Sequence, residues 1–177
     1  DGQFQHPWLG RLPSGEPAHI QGRFQGSWTW LCPAMLHLGD EVQTNLAPAI
    51  PQGTRWSGEW MIADVPQGDL WVSVEAAELE PCGPQTPPTQ PYLQELRAGH
   101  WKTELWINRR RIGDWNSQLS WRPGAATPER IRLAIPAAAL TVGKNVWELQ
   151  QHPGPDGAAF DDLWIGRMAL EVAIPQP

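Results

Sequence analysis

The chain has 177 residues, 41% of them hydrophobic and 18% charged, with a formal net charge of −6 and the uncommon load of 12 Trp, 19 Pro and 17 Gly. That length suits one domain with its own core rather than two. The acidic balance argues against a nucleic-acid partner, which would meet a basic face, and no apolar run approaches the roughly 18 residues of a membrane span.

Residues 1–18 read as an irregular Pro- and Gly-rich lead-in, and 19–177 as a single β-sandwich domain. The opening DGQFQHPW lacks an initiator Met, as a processed mature protein or a domain of something longer would. From His19 the period becomes two. Phe24, Gly26, Trp28, Trp30 and Cys32 place an apolar or small residue at every second position, the pattern of a half-buried strand. That phase assigns Trp28 and Trp30 to the core. GEWMIADVP (58–66) is the next strand, stopped by Pro66. In LWVSVEAAELE (70–80), Leu70, Val72, Val74 and Ala76 share one face, and Trp71, Ser73 and Glu75 the other. Joined by the turn PQGD, these two segments read as a hairpin.

PCGPQTPPTQP (81–91) is too rich in proline for a central strand and reads as a long surface loop or an interdomain-like tether. Strands resume at HWKTELWIN (100–108), turn through Arg109, Arg110 and Arg111, and return in RRIGDW. ERIRLAIP (129–136) alternates again, and PAAALTVGKN (136–145) reads as a short helical turn ended by Gly143. NVWELQQH (145–152) and DLWIGRMALEVAIP (162–175) complete the list, with Trp164 in phase with Met168, Leu170 and Val172 as core. About eight short strands with frequent turns and almost no helix predict an all-β fold, a two-sheet antiparallel β-sandwich of jelly-roll type.

Catalytic chemistry is sparse. His6, His19, His37, His100 and His152 show no metal-ligand spacing, and no nucleophile elbow or phosphate loop is present. No catalytic residue and no metal site is therefore expected, with a structural calcium at the Asp161–Asp162 loop kept as an open alternative. Paired carboxylates occur as Asp40 with Glu41, Glu78 with Glu80, and Asp161 with Asp162, and adjacent ones point apart on a strand, unlike the facing pair that glycoside hydrolysis requires. At Asp161 and Asp162, where a loop enters a strand, capping or an exposed turn is the expected role. Cys32 and Cys82 fit one disulfide in an exported protein and equally two buried thiols. A bridge would close a loop of about 50 residues and contribute roughly 4 kcal/mol. The Trp-, Gln- and Pro-rich composition favours export: secreted, periplasmic or cell surface.

The tryptophans carry the functional signal. Trp115 and Trp121 have polar neighbours on nearly every side, Asp114, Asn116, Ser117, Gln118, Ser120 and Arg122. An open indole beside Asn, Gln and Arg suits a sugar, whose C–H face stacks on the ring while its hydroxyls meet fixed donors and acceptors. Trp115 and Trp121 are thus the expected platforms, with Asn116, Gln118 and Arg122 as hydroxyl partners and Arg110 and Trp106 extending the surface. The opposing reading has the same rings plugging the open end of the sandwich. Arginines near the rings would favour an acidic glycan such as a uronate.

The run ELWINRRRIGDW, then ERIRLAIPAAALTVGKNVWELQ, then FDDLWIGRMALEV resembles the galactose-binding-like jelly-roll domains, among them the sugar-binding domains of family 2 glycoside hydrolases and related carbohydrate-binding modules. Leu105, Trp106 and Asn108 match a strand ending Leu-Trp-x-Asn-Gly, with Arg109 in place of the Gly. Ile112 and Gly113 match the following short strand, and Gly143, Lys144 and Asn145 the later turn; Trp60 and Pro66 fit the upstream strand pair. The resemblance covers about 55–174. In that family the Asn fixes the hairpin and the Gly takes a positive φ, so Arg109 predicts a reshaped and lengthened turn that displays the arginines. The resemblance implies a non-catalytic carbohydrate-binding module, its partner an oligo- or polysaccharide, accessory to a fused or partner catalytic domain or to a cell-surface protein. A structural or protein-interaction domain using exposed Trp is the second reading, and a small glycan hydrolase or lyase the third.

Overall fold

The computed structural model describes residues 26–32, 36–42, 52–120 and 129–173, the side chains of 26–32, 129, 167 and 173 excepted. The lead-in and the expectations for Trp121 and Arg122, like the side chains of Trp28, Trp30 and Cys32, lie outside the described residues.

Alternating apolar positions build two antiparallel sheets. In the first, β9 (Leu163–Ala173) is central. It pairs with β1 (Gly26–Cys32) and β2 (Leu36–Leu38) on one side, and on the other with β4 (Asp69–Ala77), which pairs in turn with β7 (Glu129–Ala134). The second sheet runs β3 (Arg55–Ile62), β8 (Gly143–Gln151), β5 (Thr103–Ile107), β6 (Arg110–Asp114). The fold is an all-β two-sheet sandwich, as the alternation predicts. Leu70, Val72 and Val74 of β4 face inward beside Ile131 and Leu133 of β7, and meet Leu105, Ile107, Trp147 and Leu149 of the second sheet in one buried cluster. The close fit has a visible cause at Gly58, where a Cβ would stand 2.5 Å from Cζ2 of Trp147.

The hairpin expected from 58–66 and 70–80 does not form. β3 pairs only with β8, and β4 lies in the opposite sheet between β7 and β9. Each strand offers one apolar face, and crossing the sandwich lets both faces bury against each other's sheets instead of lying side by side. In β9 the partners shift from Val74↔Met168 to Ala76↔Ile165, a bulge that puts an extra residue on β9. Trp164 is buried as expected, but it packs beside the His37 ring at 4.7 Å while Leu163 and Ile165 join the main cluster.

The β5–β6 turn also departs from expectation. Ile107 pairs with Arg110, so the loop is only Asn108 and Arg109, both at positive φ (50° and 65°). Arg109 takes the conformation a glycine would, and the turn is not lengthened. It is held from behind: Asn108 Oδ1 accepts from the Val146 N–H at 2.9 Å, and its Nδ2 donates to Ala139 O and Asn145 Oδ1. The fully buried Asn145 accepts in turn from the Thr141 N–H. The predicted helical turn near 136–145 is a 3₁₀ turn at Ala137–Ala139. A short helix the alternation did not foretell, α1 (Leu93–Ala98), follows the Pro-rich loop. It buries Leu93 and Leu96 and ends at Gly99 in the left-handed conformation. Among the described residues no helix is long and apolar enough to cross a membrane.

Candidate functional site

The surface expected around Trp115 is not one. Trp115 is 0% exposed and belongs to the core cluster, so it cannot stack on a sugar. It follows β6 directly, and its N–H donates to Thr103 O at 2.9 Å, which draws the indole between the sheets. Asn116, also 0% exposed, has no spare group for a hydroxyl. Its Oδ1 accepts from the Thr103 N–H at 2.8 Å, while Nδ2 donates to Glu80 O at 2.9 Å and reaches Trp101 O at 3.5 Å. A polar sequence neighbourhood here marks a buried bracket at the end of the sandwich, the plugging reading.

The other expected residues are scattered. Gln118 and Arg110 are exposed. Trp106 is half-buried on the outer face of its sheet, as its phase predicts, and its Nε1 donates to Glu104 Oε2 at 3.1 Å. Arg111 Nε also donates to Glu104, and His152 Nε2 lies 3.1 Å from it. Burial alone would raise the Glu104 carboxyl, but the bonds from Arg111 and His152 hold it below its usual range. Trp71, likewise out of phase, is half-buried with the Arg132 guanidinium 5.5 Å from its ring centroid. Cys82 carries a free thiol, and the side chain of Cys32 lies outside the described residues. Among the described residues no group of three or more His, Cys, Asp or Glu is placed to hold a metal ion.

What the fold does assemble lies next to Asn116. A cleft of about 230 Å³ is lined by Glu80, Tyr92, Trp101, Phe160, Asp161 and Asp162. Three segments supply it: the exit of β4, the two ends of the α1 excursion, and the loop entering β9. Asn116 ties the first two together through the carbonyls of Glu80 and Trp101. Gln151 Nε2 donates to Asp161 O at 2.5 Å and anchors the third. Trp101 lies flat over Gly154, where a Cβ would come within 2.2 Å of its Cζ2, and its ring centroid stands 6.2 Å from that of Tyr92. Tyr92 and Trp101 have φ of 63° and 58°, and neighbouring Glu78 has 65°. For non-glycine residues that conformation costs about 1–2 kcal/mol each, and such outliers concentrate at functional sites.

The polar groups are equally unusual. Trp101 Nε1 and Asp161 Oδ2 are buried without a hydrogen-bond partner among the described residues. Burial, then the adjacent Glu80 carboxyl, push Asp161 up to about 8, so it carries a proton at neutral pH. Burial also raises Glu80, against the hydrogen bond from Gln90 Nε2 at 3.1 Å. Asp162, raised by burial, accepts from the Glu41 N–H at 3.2 Å and stands 3.5 Å from His37 Nε2. The cleft therefore offers flat aromatic surface beside three carboxyl groups, of which Asp161 can donate as well as accept.

No protein-family model matches this chain, and no curated protein is significantly similar to it. Sequence reasoning misses Tyr92, Trp101 and Phe160, and meets Glu80 only as the partner of Glu78, because these residues are far apart in the chain and come together only through the sheet crossing. The Asp161–Asp162 pair was visible but read as a cap or turn. The available signal was the single Tyr of the chain set within a Pro-rich loop that runs on to Trp101.

Proposed function

We propose that this chain is a non-catalytic carbohydrate-binding β-sandwich whose ligand site is the Trp101 cleft. The observation that carries the reading is the Trp101 indole, backed by Gly154 and opening on a cleft with two further aromatics and three carboxyl groups. An indole face takes the C–H face of a pyranose, and carboxyls that accept, with Asp161 able also to donate, take its hydroxyls. The volume is about eight waters' worth at roughly 30 Å³ each, room for one sugar ring. The resemblance to galactose-binding-like domains supports the same reading and an accessory role beside a polysaccharide-degrading or cell-surface protein, and the Trp-, Gln- and Pro-rich composition supports export. Affinity in the millimolar to micromolar range, about −4 to −8 kcal/mol, is expected. Titration of the chain with neutral and charged oligosaccharides, followed by tryptophan fluorescence, tests it. A saturable change should be abolished by Trp101→Ala; no response to any glycan would overturn the proposal.

One observation favours a second reading, glycan cleavage: Asp161 protonated at neutral pH beside Glu80 is what a general acid with a second carboxylate requires. Turnover of polysaccharide lost on Asp161→Asn would support it.

A further inference from the structure

Two of the cleft's carboxyl groups, Glu80 and Asp161, differ from the buried carboxylates elsewhere among the described residues. Glu104 is paired with Arg111, Asp114 with Lys102 at 3.0 Å, and Glu171 with both Arg130 and Arg132. Burying a carboxylate is costly without such a partner, and the fold supplies one each time. At two of the three cleft carboxyls it does not: Asp162 stands 3.5 Å from His37 Nε2, but among the described residues neither Glu80 nor Asp161 has a cationic partner, and no Lys, Arg or His lines the cavity. The remaining wall is Asp162 with Tyr92, Trp101 and Phe160, whose ring faces attract cations as well as apolar surface.

We infer that the cleft selects a glycan bearing a free protonated amine, a hexosamine unit whose nitrogen is not acetylated; this rests on the carbohydrate-binding reading above. The sugar ring stacks on Trp101, its ammonium group meets Glu80 and Asp161, and its hydroxyls meet the remaining carboxyl oxygens. The missing positive charge is thus brought by the ligand. An N-acetylated unit presents a neutral amide there and forgoes both the ion pair and the cation–π contact. A uronate, which the arginines of the sequence suggested, brings a like charge and is repelled. A second consequence concerns protons: a bound ammonium stabilises the ionised form of Asp161, so binding near neutral pH releases hydrogen ions.

The test is titration of the whole chain with glucosamine, N-acetylglucosamine and galacturonate oligomers of equal length, and with tetramethylammonium, by fluorescence and calorimetry. The glucosamine oligomer should bind about tenfold tighter than its acetylated counterpart, as one ion pair with a cation–π contact allows, and galacturonate should not bind. Glu80→Gln with Asp161→Asn, near-isosteric changes whose folding is checked by near-ultraviolet circular dichroism, should bring the two affinities to within about twofold. Equal or tighter binding of the acetylated oligomer, lost on Trp101→Ala, overturns the amine inference and leaves the carbohydrate reading standing. Tetramethylammonium binding as tightly as the glucosamine oligomer overturns it in favour of a simple ammonium site. Failure of every glycan removes both.

Discussion

Trp115 and Trp101 flank the same β5–β6 hairpin, and both stand among polar residues in the sequence, yet the fold treats them oppositely. Trp115 leaves β6 and passes between the sheets to full burial, and Asn116 beside it spends its amide on backbone groups. Trp101 enters β5 from a left-handed turn, rests on a glycine, and borders a cleft. The difference teaches that polar neighbours do not report exposure. What decides is whether a strand end directs the ring between the sheets or a strained turn holds it at the rim.

That contrast is broken most forcefully at Trp115. Trp115→Ala should cost about 3–5 kcal/mol in denaturant unfolding, the range for removing a large buried aromatic; a cost below 1 kcal/mol would mean the ring is not core. Next comes Asn116→Ala, which leaves the Thr103 N–H and the Glu80 carbonyl buried and unpaired. About 2–4 kcal/mol should be lost, and any glycan response should weaken with it, because the same amide sets the Glu80 segment against Trp101.

Asp161 sharpens the comparison through pH. Its folded-state value, about 8, lies above its ordinary 3.8. The folded chain therefore holds this proton more tightly, a contribution complete below pH 3.8 and lost as pH rises through about 8. Stability should fall across that window by up to about 1.4 kcal/mol per pH unit, the limit for one proton. Asp161→Asn should flatten the fall; identical slopes in wild type and variant would show the carboxyl to be solvated. The smallest expected effect lies at the far end of the hairpin. Arg109→Gly should stabilise by about 0.5–1 kcal/mol, since φ of 65° costs glycine nothing while glycine's own loss of freedom offsets part of the gain.

The sandwich was legible because period-two alternation in β4, β7 and β8 reports a buried face whichever strand lies alongside. Partnering was not. Nothing local distinguishes β3 as the neighbour of β8 from β3 as the first arm of a hairpin with β4, since that choice is settled by contacts between distant halves of the chain. The site failed to appear for the same reason. Glu80, Trp101 and Asp161 become neighbours only after β4 and β9 pair and α1 folds back, whereas Trp115, Asn116 and Gln118 are contiguous and so drew attention as a cluster. Trp106 and Trp71 were correctly set apart by phase, because phase is a property of a single strand.

Gly154 sits directly beneath the Trp101 ring. A methyl group there would collide with the indole of Trp101, and the backbone at 154 does not require glycine's special range. Gly154→Ala would tilt the ring and narrow or widen the opening without contacting anything inside it. Residue 154 is thus an adjusting screw for the aperture, one that can be turned before any lining residue is replaced.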